Sequence, residues 1–91
     1  MNVYKEILEI ILKREYALLG RVHTQKIFKD LGLSIDDMGN LNENNSYDAE
    51  ILEKLIVTLK QSIGYIAILV IRLPVRRKLM QNHLDVPSVL M

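Results

Sequence analysis

The chain has 91 residues, 49% of them hydrophobic, a net charge of +1 and no cysteine. This length makes one small domain, and the apolar content argues against disorder. Disulfides, thiolate zinc sites and thiol nucleophiles are excluded, and the near-neutral charge gives no overall pull toward nucleic acid or an acidic ligand.

The opening MNVYKEILEI carries charges inside what would be the apolar stretch of a secretory signal. A cytoplasmic protein is therefore the expectation, with Met1 read as the start of a whole chain. Residues 2–19 read as a first helix. Val3, Tyr4, Ile7, Leu8, Ile11, Leu12, Leu18 and Leu19 recur at helical spacing, with Lys5, Glu6, Glu9, Lys13 and Arg14 largely opposite. Asn2 is placed to cap it and Gly20 to end or bend it.

Residues 22–31 read as a short second helix facing Val22, Ile27, Phe28 and Leu31 inward. Gly32 stops it in a left-handed conformation, with Leu33 packing back. If Gly20 does not break the chain, these two helices fuse. Residues 33–45, LSIDDMGNLNENN, are a loop by composition, pinned by Ile35, Met38 and Leu41, with a tight turn at Met38–Asn40 that could close a small hairpin. The alternation of Asn40, Asn42 and Asn44 invites a calcium-loop reading. It fails on detail: the sixth place holds Asn45 where glycine is needed, and the twelfth holds Ile51 where glutamate is needed.

The stretch 46–73 reads as one long central helix, capped by Asn45 or Ser46, with Asp48 and Glu50 in its first turn. Leu52, Ile56, Leu59, Ile63, Ile66, Val70 and Leu73 alternate at four and three, which puts all seven on one face. The run IGYIAILVI has no charge and is expected to be buried on every side. Gly64 and Ala67 would admit another backbone, and a buried Tyr65 hydroxyl would take Ser62 or Arg72 as partner. The β-branched residues between 63 and 71 leave a buried strand as the rival, but the unbroken seam favours helix. Nine uncharged residues fall short of the ~20 that a membrane span needs.

Pro74 either kinks this helix or starts a new one over 74–84, and 85–91 is expected to be an extended tail. Arg72, Arg76, Arg77 and Lys78 form the basic cluster. Arginine suits phosphate, yet four charges are few for a nucleic-acid footprint. TQKIFKDLGLS resembles the first helix and turn of a helix-turn-helix, but the IDDMGNLNENN that follows is too acidic and turn-rich to be a recognition helix. His23 and His83 lack a ligand partner at helical spacing, and no serine sits in an elbow motif. No catalytic, metal-binding or cofactor-binding residue is assigned.

The sequence thus predicts an all-α domain of three to four helices, with the 46–73 helix packed in a dimeric helical bundle. The seven seam residues are its expected association surface. The expected function is a non-enzymatic, homo-oligomeric regulatory or scaffolding module. The alternative is a small nucleic-acid-binding regulator using Arg72, Arg76, Arg77 and Lys78. A weaker third reading is a ligand sensor with an apolar pocket near Tyr65.

Overall fold

Asn2 starts the first helix as expected. Its side-chain oxygen accepts from the Tyr4 amide at 2.9 Å and the Lys5 amide at 3.3 Å, which satisfies two of the donors a helix start leaves open. In the computed structural model, which describes residues 2–43 and 45–91, α1 runs Val3–Leu19 and buries Ile7, Leu8, Ile11 and Leu12. Gly20, at φ 84° and ψ 163°, ends it, and α2 (Arg21–Asp30) starts at the next residue. That backbone region is closed to residues with a Cβ, so the two helices stay separate.

At the end of α2, the Leu33 amide donates to the Phe28 carbonyl and the Gly32 amide to the Lys29 carbonyl. This is the paired closure in which a left-handed residue reverses the chain. Leu33 packs back into the core, as the spacing predicted.

The segment from Leu31 to Asp48 carries one isolated antiparallel bridge, Ile35 to Leu41, which closes the small hairpin. Leu33, Leu41 and Tyr47 anchor the segment in the core, while Met38 is exposed. The polar face of α1 holds the rest. Glu9 accepts from the Leu41 amide at 3.0 Å, Tyr16 donates to the Gly39 carbonyl at 2.8 Å, and Lys13 bonds the Asn40 side chain. Lys5 pairs with Glu43 at 2.6 Å, and that carboxylate holds the Lys5 pKa above its ordinary value.

The long helix predicted over 46–73 is two helices: α3 (Ala49–Ser62) and α4 (Tyr65–Gln81). Asp48 caps α3 by accepting from the Ile51 amide at 2.9 Å. Asn45, expected in that role, instead ties Ser34 to Tyr47. The break falls at Gly64, φ 112° and ψ −175°. Hydrophobic spacing alone could not show it, because each helix carries its own apolar stripe and the four-three rhythm runs across the joint. Space for a close neighbour is not the reason for this glycine: a Cβ there would meet nothing within 4 Å. The conformation is the requirement.

α4 continues through Pro74. Proline brings no N–H, so the Val70 carbonyl lacks its helical donor, but the packing of Ile71, Val75 and Leu79 in the core holds the segment helical. The expected new helix over 74–84 is thus the second half of α4. The tail is not simply extended either. Ser88–Leu90 form a 3-10 turn with Leu90 fully buried and packed against α4.

α1 packs most extensively on α4 and also touches α2 and α3, while α4 touches α3 and the tail. The core is a single cluster drawn from all four helices, the loop and the tail. The radius of gyration, 12.0 Å, is the ~12 Å expected of one packed domain of this length.

Candidate functional site: the outer face of α4

A helix of this length has two long faces, and α4 is apolar on both. Ala67, Ile68, Ile71, Val75 and Leu79 fall at three- and four-residue steps and fill the core. The opposite face carries Ile66 (56% exposed), Leu69 (51%), Leu73 (62%) and Met80 (56%), with Tyr65 (48%) at its start. Val70 is half-buried beside them. Large apolar side chains scattered singly on a surface need no explanation, but a continuous stripe along one helix does.

The predicted association surface therefore divides at Gly64. Leu52, Ile56 and Leu59 lie in the chain's own core, and Ile63 is half-buried. Their α3 face is covered within the chain, where α1, α2 and α4 all pack on that helix. Ile66 and Leu73 lie on the outer stripe of α4, and Val70 at its edge packs partly against the core. The expectation that 63–71 is buried on every side is corrected in the same way: Ala67, Ile68 and Ile71 are buried, whereas Tyr65, Ile66 and Leu69 face outward. Leu69 and Met80 were missed as surface residues. Their signal was the outward rhythm 66, 69, 73, 77, 80, which becomes readable once the break at Gly64 is placed.

Leu73, Arg76, Arg77, Met80 and Gln81 border a shallow, open groove on this face. The basic cluster does not act as one patch. Arg72 turns inward and its Nε donates to the Leu90 carbonyl at 3.4 Å. Lys78 pairs with Glu6 of α1 at 3.6 Å. Arg76 and Arg77 remain at the groove, the first half-buried and the second exposed.

Tyr65 needs no internal partner, because its ring stands half in solvent. His23 and His83 are both exposed. Among the described residues no three His, Asp or Glu side chains converge as metal ligands, and no helix is long and apolar enough to cross a membrane.

One ionisable group escaped the sequence reading. Glu15, in the last turns of α1, is fully buried, and neither carboxylate oxygen has a hydrogen-bond partner. Burial pushes its pKa up to about 7, because a carboxylate without water or a donor is disfavoured against its neutral acid. Thr24 of α2 is also fully buried, with an unpartnered hydroxyl. The alternation of α1 itself places Glu15 on the apolar face, four residues after Ile11 and three after Leu12.

Comparison with protein-family models, curated proteins and solved structures finds no match to this chain.

Proposed function

We propose that this chain is a non-enzymatic association module, a homo-oligomeric regulatory or scaffolding protein, and that its association surface is the outer face of α4. The observation that supports this reading is the stripe Ile66, Leu69, Leu73 and Met80, each more than half exposed on one helix. Together with Tyr65 these side chains leave on the order of 400–500 Å² of apolar surface in one strip, the size of patch that often marks a functional surface. A second copy is the simplest cover, since closed two-fold pairs are the commonest assemblies. A cytoplasmic location belongs to the same proposal.

Light scattering at micromolar concentration tests it, with an expected mass of twice the 10.5 kDa chain. Paired substitutions separate association from folding. Leu69→Asp, on the outer face, should give a folded monomer with unchanged helical circular dichroism. Ile68→Asp, one position away but fully buried, should unfold the protein, because an unpaired carboxylate in the core costs several kcal/mol. A parent protein that is a well-folded monomer would end the proposal.

The nucleic-acid alternative is less favoured, because Arg72 and Lys78 already have partners within the chain. Its test is binding at low salt, which should weaken steeply as salt rises if phosphates are held.

A further inference from the structure

We infer that two copies pair through α4 antiparallel, with the two-fold axis passing at Leu73. This rests on the association reading above and fixes its geometry.

Leu73 is the middle residue of α4, which spans Tyr65–Gln81. The outer stripe is nearly symmetric about it. Ile66 lies seven residues before and Met80 seven after, while Leu69 lies four before and Arg77 four after. An interface across a two-fold axis must be self-complementary: if residue i meets j, then j meets i. With the axis at Leu73, the two Leu73 side chains meet each other and Ile66 meets the partner subunit's Met80. Leu69 then lies along the aliphatic stem of the partner subunit's Arg77, whose charged head stays at the rim.

The groove fits this register. Its lining, Leu73, Arg76, Arg77, Met80 and Gln81, belongs wholly to the second half of α4. The other exposed apolar side chains of the stripe, Ile66 and Leu69, belong to the first half. Antiparallel pairing places each first half in the partner's groove.

Charge separates the two directions. A parallel pair would set Arg76 and Arg77 beside the same residues of the partner. In the antiparallel pair the two copies of Arg77 are eight helical positions apart along the axis. At the α-helical rise that is about 12 Å, beyond the screening length of about 8 Å at physiological salt. The same register sets Gln81 opposite the partner's Tyr65. Two copies of the strip together remove about 800–1,000 Å² from water, the small end for a specific interface.

The absence of cysteine from the chain makes the test clean. Single variants Leu73→Cys, Ile66→Cys and Met80→Cys are treated with a short thiol-reactive cross-linker, after light scattering has established the mass of each. Leu73→Cys should cross-link with itself to near completion. Ile66→Cys alone and Met80→Cys alone should give little product. Their mixture, with one variant carrying a mass tag, should give the tagged–untagged dimer. Self-cross-linking of Ile66→Cys and of Met80→Cys would mean parallel helices and overturn the inference. So would a protein that scatters as a dimer yet cross-links at none of the three positions, although association itself would then stand. A monomer by light scattering would overturn both the register and the association reading.

Discussion

The Arg21 guanidinium occupies the space that a side chain on Gly39 would need. A Cβ built at Gly39 would lie 2.0 Å from one Arg21 terminal nitrogen. That same nitrogen donates to the Met38 carbonyl at 2.9 Å, and the guanidinium carbon stands 5.5 Å from the centre of the Tyr16 ring. The loop tip and the start of α2 are thus fitted to each other. Gly39 also sits at φ 83°, so two independent demands fall on one residue.

Gly39→Ala should therefore be destabilising. Left-handed backbone costs an L residue about 1–2 kcal/mol, and displacing Arg21 forfeits its hydrogen bond as well. The thermal midpoint should fall by roughly 5–10 °C for a domain of this size. In an Arg21→Ala background the same substitution should cost less, and a double-mutant cycle measures the difference. Equal costs in both backgrounds would show that the guanidinium yields without penalty.

Glu15 makes a prediction about pH. Its folded pKa of about 7 lies above the value of about 4.3 for a free glutamate. Between these values the folded state holds a proton that the unfolded state has lost. Stability contributed at Glu15 is then complete below pH ~4.3, falls as pH rises toward ~7 and is flat above, a loss on the order of 3 kcal/mol. Glu15→Leu removes this loss. Its advantage over the parent in urea unfolding should be largest above pH 7 and shrink steadily toward pH 4.5. A difference that stays constant across that range would mean the carboxylate finds water or a donor in the folded state.

His83 takes the left-handed position that ends α4, at φ 56°. The Leu84 amide donates to the Leu79 carbonyl and the His83 amide to the Met80 carbonyl, the closure that glycine normally serves. The imidazole is exposed. His83→Gly should therefore stabilise the domain by about 0.5–1 kcal/mol, seen as a rise of about 3–6 °C in thermal midpoint. A fall would show that the imidazole makes a stabilising contact with the domain.

The helices were legible because each has a one-sided apolar rhythm, and α1 and α2 lie within a residue or two of where that rhythm put them. Gly32 and Leu33 were legible because a left-handed glycine followed by a core residue is a local device. Gly64 was not. Its effect is a change of direction, and spacing is blind to direction when apolar residues continue on both sides. The same blindness hid the division of α4 into an inner and an outer face, and so hid Leu69 and Met80. Glu15 was within reach of that rhythm, since it follows Ile11 by four and Leu12 by three on the buried face of α1, but a charged side chain in an apolar stripe gives no local sign that it is enclosed. The pairing of Arg72 and Lys78 was out of reach. Glu6 lies 72 positions from Lys78, and the partner of Arg72 is a backbone carbonyl.

The docking of Leu90 bears on local opening. Releasing the segment after α4 unwinds no α-helix; it withdraws the fully buried Leu90 and the half-buried Leu84, Val86 and Val89 from the core and breaks the hydrogen bond from Arg72. An opening of that kind is a sub-global step, short of unfolding the four helices, and it would part the Arg72 guanidinium from the Leu90 carbonyl.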